Sequence, residues 1–249
     1  MRAISMIADA GALGYRAGRE QQHASAPHDM PMDYAKARRN MVDGQIRTNK
    51  VIDTAIVAAF ASIPREAFLP AAVKPLAYFD EDLPLGNGRF LMEPMVFARL
   101  LQAAAITPAD VVLDIGCLMG YSAAVIARLA AMVIGIEVDA DRVDDATMTL
   151  TDIRINNVAV VTRELAEGYA EQGPYQVIVL EGAVADVPRG LLAQLTEGGR
   201  LVAVVRPDPM ATGHAVLYVR SGDVFAHRVL FDANCNYLPG FAPKPQFVF

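Results

Sequence analysis

Apolar residues along this chain change their spacing twice. From Asp33 to Ile63 they recur at helical intervals: Met41, Ile46 and Val51 stand among polar neighbours, and Ile56, Val57, Ala59 and Phe60 make a second stripe. That spacing predicts helices, the second opened by Asp53 as N-cap of Thr54-Ala55-Ile56 and closed by Ile63-Pro64-Arg65. Pro70, Pro75, Pro84, Gly86 and Gly88 then punctuate an irregular stretch. Glu93-Pro94 starts another helix, with proline in its first turn, running through Leu100-Leu101. Beyond Thr107-Pro108-Ala109-Asp110, continuous apolar runs alternate with helical segments. The runs predict strands at 111–115, 132–137, 158–161, 176–181 and 200–205, with helices around 121–130, 141–153 and 188–195. Continuous apolar runs suit strands buried on both faces, and their alternation with helices predicts a parallel, doubly wound sheet. Two further strands, 215–220 and 224–231, flank Ser221-Gly222-Asp223, which reads as a hairpin turn.

Composition narrows the class. The chain has 249 residues, 53% of them apolar and 20% charged, which excludes disorder and allows one large domain or a domain with a cap. Its net charge of −6, from 22 basic and 28 acidic side chains, argues against a nucleic-acid backbone as main partner. Cys117 and Cys235 give neither a disulfide framework nor a zinc spacing, so a reducing, cytoplasmic location is expected. No apolar run approaches the ~18 residues of a membrane span. The histidines His23, His28, His214 and His227 have no ligand spacing, read as surface or loop residues, and imply no metal. There is no Gly-x-Ser-x-Gly turn and no phosphate-binding loop.

Residues 1–32 differ from the rest. Ile4-Ser5-Met6-Ile7-Ala8 is mildly apolar and Ala24-Ser25-Ala26 resembles a cleavage site, but Asp9 interrupts the apolar core a signal peptide needs. The segment reads as a helical or flexible extension, a candidate piece for binding a partner or forming a homo-oligomer, and translation could begin at Met30 or Met32. The expected organisation is this extension, a helical cap at 33–106, a cofactor-binding core at 107–206, and a hairpin and tail at 207–249 completing the sheet.

The chemistry concentrates at Val111-Val112-Leu113-Asp114-Ile115-Gly116-Cys117-Leu118-Met119-Gly120-Tyr121, a buried strand entering a glycine-bearing turn and then an alanine-rich helix. Twenty-one residues after Gly116, Glu137 ends a second apolar run, at the offset where an acidic residue can grip a ribose diol. The pair suggests a cofactor with an adenosine half on a Rossmann-like α/β fold: a doubly wound, mostly parallel sheet with an N-terminal helical cap and a C-terminal β-hairpin. Against a functional Glu137 stands the plain alternative of a charged residue ending a strand in solvent. Asp114, Gly116 and Gly120 have the alternative of a simple strand-to-helix turn.

The chain resembles the protein-L-isoaspartate O-methyltransferase family of S-adenosylmethionine-dependent methyltransferases over about residues 34 to 240. The likeness is carried by Asn40-Met41-Val42-Asp43-Gly44-Gln45-Ile46-Arg47, Ile63-Pro64-Arg65-Glu66-Ala67-Phe68, Ala77-Tyr78-Phe79-Asp80, Leu83-Pro84-Leu85-Gly86 and Glu93-Pro94. It continues through Pro174-Tyr175-Gln176-Val177-Ile178-Val179, Val187-Pro188, Leu191-Leu192 and Gly198-Gly199-Arg200-Leu201-Val202. The resemblance implies S-adenosylmethionine as cofactor and isoaspartyl peptides or proteins as partners, in a repair reaction that methylates the isoaspartyl α-carboxylate. It implies a cofactor site of Asp114, Gly116, Cys117, Gly120, Glu137, Val138, Glu164 and Leu165, with Glu164 toward the adenine amino group.

Three departures accompany it. Leu118 stands where the family has glycine, so its side chain would project into the cofactor's space or force a different dihedral. Cys117 beside it reads as a small buried residue rather than a reactive thiol. Arg163-Glu164-Leu165 replaces Gly-Asp-Gly. Phe90 and Met92 replace hydroxyl residues of the substrate site, Met92 cannot donate a hydrogen bond, and Glu93 adds negative charge near an anionic substrate. A packed helix start is the alternative there. These departures leave two further readings: a methyltransferase with another acceptor, and a pseudoenzyme, a non-catalytic binding module that has lost its cofactor.

Overall fold

The computed structural model describes residues 32–243. The N-terminal extension, with its cleavage-like segment and His23 and His28, lies outside them. The helical pattern of the first part resolves into α1 (Tyr34–Met41) and α2 (Thr54–Ser62), joined by one π-helical turn, Val42–Ile46, and one 3-10 turn, Arg47–Asn49. The N-caps are Asp33 and Asp53, the latter accepting from the amides of Ala55 and Ile56. A two-residue hairpin follows, β1 (Leu83–Pro84) with β2 (Phe90–Leu91). Phe90 belongs to this hairpin rather than to a helix start, and α3 (Pro94–Ala104) begins after Glu93, where Glu93-Pro94 places it.

The remainder is β3 (Val111–Ile115), α4 (Tyr121–Ile126), β4 (Met132–Glu137), α5 (Ala140–Asp152), β5 (Val158–Thr162), β6 (Tyr175–Val184), α6 (Arg189–Leu192), β7 (Leu195–Val205), β8 (His214–Ser221) and β9 (Val224–Asp232). The helices expected at 121–130 and 188–195 are shorter. The first stops its α-helical pattern at Ile126, and the second is cut off because β7 starts at Leu195. His214 and His227 lie on strands rather than loops, His214 within 2.9 Å of Asp232.

The seven strands lie in the order β5-β4-β3-β6-β7-β8-β9; the first five are parallel and the last two antiparallel. The expected α/β, doubly wound and mostly parallel sheet is therefore present. From β3 the chain winds outward to β4 and β5, then returns to place β6 on the other side of β3. That reversal puts a crevice at the carboxyl ends of β3 and β6, where such sheets hold ligands.

Two apolar layers fix the sheet. Val112, Val133, Val177, Val179 and Val202 face the cap helices and α4. Their neighbours Leu113, Ile134, Ile178, Leu180 and Leu201 face the layer containing α6 and the C-terminal tail. The period of two in strands sorts these residues onto opposite faces. An aromatic cluster joins cap to core: Phe60 lies 5.5 Å from Phe97, and the Tyr121 ring lies 5.8 Å from Phe68. Tyr121 is the first residue of α4, so the cap packs directly on the turn that starts at Gly116. Phe60 has no exposed surface. Phe60→Ala is expected to lower the unfolding free energy by about 3–5 kcal/mol in urea titration; a loss under about 1 kcal/mol would show that cap and core are not held by this cluster.

Candidate active site at the sheet crevice

The glycine turn keeps a left-handed backbone at three places: Gly116 at φ +87°, Leu118 at φ +53° and Gly120 at φ +90°. For leucine this conformation costs about 1–2 kcal/mol. Two amides at the start of the turn, Gly116 and Cys117, donate to the Ile136 carbonyl at 2.9 and 3.3 Å. The Leu118 amide donates to Oε2 of Glu137 at 3.0 Å. The leucine side chain is buried with Cys117 and Met119 in the core layer that faces the cap. The loop has thus kept the dihedral that glycine allows and has buried the side chain. Cys117 is buried as expected, and burial raises its thiol well above the ordinary value. A β-carbon on Gly120 would stand 3.1 Å from that of Ala146, so α5 packs closely there.

Glu137 does not end its strand in solvent. Its side chain has no exposure to solvent, and its Oε2 receives Nη2 of Arg89 at 2.5 Å. Oε1 accepts from the amide of Val138 at 3.0 Å. Arg89 also donates to the Gly116 carbonyl at 3.1 Å. It comes from the turn between β1 and β2, where Gly86, Asn87 and Gly88 all have positive φ. Arg142 of α5 anchors that turn, donating to the Leu85 carbonyl at 3.0 Å while its Nε pairs with Asp139 at 3.2 Å.

The face of Gly116 is covered as well. A β-carbon there would lie 2.7 Å from Cδ2 of Leu238, 3.4 Å from Nη2 of Arg89 and 3.6 Å from Cδ1 of Leu165. Leu165 is buried, whereas Glu164 is exposed at the start of a 3-10 turn.

The other end of the crevice is polar. Asp114 is wholly buried; its Oδ2 accepts from the Ser122 hydroxyl at 2.6 Å, and its Oδ1 has no partner. Burial raises its carboxyl to about 7, the Ser122 hydrogen bond opposes the rise, and Glu137 adds to it. Glu181 on β6 is buried with one unpaired oxygen, and burial, with Asp114 nearby, pushes it well above the carboxylate range. Arg65 is fully buried against the Tyr121 ring, its guanidinium carbon 4.8 Å from the centroid, and it donates to the Met92 carbonyl at 2.8 Å. Met92 itself is buried. Phe90 and Glu93 are half-buried, and Glu93 sits near Asp80, Glu81 and Asp82. Burial first, then these acids, raise its carboxyl to about 7, so it carries less negative charge at neutral pH than its sequence alone suggests.

The structure brings Asp114, Gly116, Cys117, Glu137, Val138 and Leu165 together at the ends of β3 and β4, packs Gly120 against α5, and leaves Glu164 exposed. Arg89, Glu181 and Leu238 were not singled out in the sequence. A buried acid at a strand end needs a cation, and that need is the one signal that points to Arg89. Among the described residues no group of three His, Cys, Asp or Glu could hold a metal ion, and no helix is long and apolar enough to cross a membrane.

Comparison with known proteins defines the class. The family model described as Protein-L-isoaspartate(D-aspartate) O-methyltransferase matches residues 36–239. The protein-L-isoaspartate O-methyltransferase of Koribacter versatilis is 37% identical over 215 residues, 84% of this chain and 95% of the relative. That of Gloeobacter violaceus is 36% identical over 206 residues, 83% of this chain and 99% of the relative. A solved protein-L-isoaspartate O-methyltransferase superposes with a TM-score of 0.72 at 24% identity, covering 82% of this chain and 66% of that one. A Plasmodium falciparum structure titled as a putative member in complex with S-adenosyl-L-homocysteine gives 0.68 at 17% identity, covering 80% and 96%. These two structures share the fold, a Rossmann-like methyltransferase architecture. The chain belongs to the protein-L-isoaspartate O-methyltransferase family, a family of S-adenosylmethionine-dependent methyltransferases.

The raised carboxyl of Asp114 has a pH signature. The folded protein holds a proton at about pH 7 that the unfolded chain releases near 3.8, so this group's stabilisation is full below that value and is lost as pH rises to about 7. Asp114→Asn is expected to remove that part of the slope, at most about 1.4 kcal/mol per pH unit for one proton. Urea unfolding of both proteins between about pH 4 and pH 8 checks it; a difference that does not change with pH would refute the assignment.

Proposed function

We propose that this protein methylates the α-carboxylate of L-isoaspartyl residues in damaged proteins, using S-adenosylmethionine. The observation that carries this reading is the extent of the family match, residues 36–239, which takes in the helical cap as well as the glycine turn. The turn alone would support only a nucleotide-like cofactor. In this reading the turn from Asp114 to Gly120, with Glu137, Val138, Glu164 and Leu165, is the cofactor side, and Phe90, Met92 and Glu93 lie toward the substrate. A carboxylate acceptor is already ionised at neutral pH, so the site needs alignment and exclusion of water more than a strong base.

In the conformation described, two of these positions are engaged within the protein. The carboxylate of Glu137 is paired with Arg89, and Leu238 packs against Gly116. The same observation favours a second reading, a family member that works as a cofactor-free binding module. The buried thioether at Met92, where a hydroxyl would orient a carboxylate, favours a different acceptor.

One experiment separates them: calorimetric titration with S-adenosylmethionine and S-adenosylhomocysteine, followed by methyl transfer to an isoaspartyl peptide and its aspartyl counterpart. Binding with transfer to the isoaspartyl peptide alone is expected. Binding without transfer would move the function to another acceptor. Absence of binding at millimolar ligand, together with no transfer, would leave the binding module.

A further inference from the structure

The crevice is closed by two elements that belong to neither the sheet nor the glycine turn. One is the C-terminal tail. Beyond β9 it turns back and lays residues 236–241 along the end of β6: the Ala183 amide donates to the Asn236 carbonyl at 2.8 Å, that of Leu238 to Ala183 at 2.9 Å, and that of Ala185 to Phe241 at 2.8 Å. This places Leu238 between two glycines that face the crevice from its two strands. β-carbons added at Gly116 and Gly182 would lie 2.7 and 2.9 Å from its side chain. The other element is the β1–β2 turn, whose Arg89 reaches Glu137 and the Gly116 carbonyl.

Both closures are short segments. The tail holds to the end of β6 by the three backbone hydrogen bonds just given, with side-chain bonds from the Tyr237 hydroxyl to the Arg206 carbonyl at 2.7 Å and from Nδ2 of Asn236 to Asp82 at 3.4 Å, and with Leu238 and Phe241 buried. The turn bearing Arg89 hangs on a two-residue ladder and on Arg142. Nε of Arg89 is buried without a partner. A guanidinium with an unmet donor in a closed crevice loses less on leaving than a fully bonded one. The turn beneath, meanwhile, keeps the left-handed backbone and the close approach of a binding loop.

We infer that Leu238 of the tail and Arg89 of the hairpin form a two-part strap over the cofactor crevice, which must lift for an adenosyl ligand to bind. The inference rests on the cofactor reading given above. Arg89 occupies the carboxylate that a ribose diol would use, and Leu238 the space over Gly116. Ligand and strap therefore exclude one another, and the apparent affinity is reduced by the fraction of molecules in which the strap is open. The tail couples cofactor entry to whatever holds or releases the chain beyond β9.

The test is titration of the full-length protein with S-adenosylhomocysteine, in the unmodified form and as Leu238→Ala, Arg89→Ala and the double variant, each checked for cooperative unfolding. Leu238→Ala is expected to bind at least about tenfold tighter than the unmodified protein, and the double variant tighter again. Affinities of folded variants within about twofold of the unmodified protein overturn the strap while leaving the methyltransferase reading intact. Failure of every folded form to bind overturns both. Hydrogen exchange on the unmodified protein gives a readout that needs no variant. Saturating S-adenosylhomocysteine is expected to speed exchange at the amides of Ala183 and Leu238; unchanged protection with ligand bound overturns the strap.

Discussion

A carboxylate at the end of a buried strand cannot be left without charge or donors, and the site is organised around meeting that demand at Glu137. Removal of one partner from such a buried pair typically costs about 3–5 kcal/mol, because the other charge stays desolvated. The pair is therefore a structural constraint. It fixes the β1–β2 turn over the sheet and draws Arg142 of α5 into holding that turn. It also supplies the acceptor for the Leu118 amide. A residue with an unfavourable left-handed backbone is thus held in place by the same carboxylate that the strand delivers.

The rest of the crevice is divided in character. Toward Gly116 it is filled by aliphatic carbon from Leu165 and Leu238. Toward Asp114 and Glu181 it contains buried oxygens without partners, with Arg65 and Tyr121 nearby also holding unmet polar atoms. Buried polar atoms are nearly always hydrogen-bonded in folded proteins. Unmet groups collected at the switch point of an α/β sheet mark a place built to receive something polar, whereas a remodelled core would have exchanged them for carbon. Burial keeps Asp114 and Glu181 protonated to higher pH, which reduces the repulsion of two acids sharing one low-dielectric space.

Periodicity made most of the frame legible. Val111–Ile115 and Met132–Glu137 are continuous apolar runs with no reasonable alternative to buried parallel strands, and Asp53 caps the helix that its position announced. Where the expectation failed, a tertiary effect prevailed over the local pattern. The segment after Pro188 has helical spacing, yet pairing of Leu195 with Tyr175 draws it into β7 after a single turn of helix. Arg89 stands in a turn rich in glycine, which reads as a solvated loop, and Leu238 stands just before Pro239-Gly240 in a tail. Both act across long stretches of chain, and no spacing rule links them to Gly116. Leu118 was legible as a departure. Its consequence was not, because a backbone conformation can be retained when neighbouring hydrogen bonds outweigh the steric cost.

Retention of the glycine-like turn bears on how the closed crevice relates to the family's chemistry. A chain with no further use for the crevice would gain by relaxing Leu118 to negative φ and by replacing Asp114 and Glu181 with apolar residues. Neither has happened, and the closing groups come from a short hairpin turn and a short tail rather than from the sheet. Closure from the periphery leaves the sheet, the turn and the strand-end acid in their working positions. An ion pair can then be exchanged for hydrogen bonds to a ligand while the strands of the sheet stay in place. The energy separating closed from open is set by the Arg89–Glu137 pair, the hydrogen bonds of the tail and the burial of Leu238 and Phe241. Single substitutions at the closing groups change that energy, so occupancy of the crevice can be tuned without touching the residues of the turn beneath.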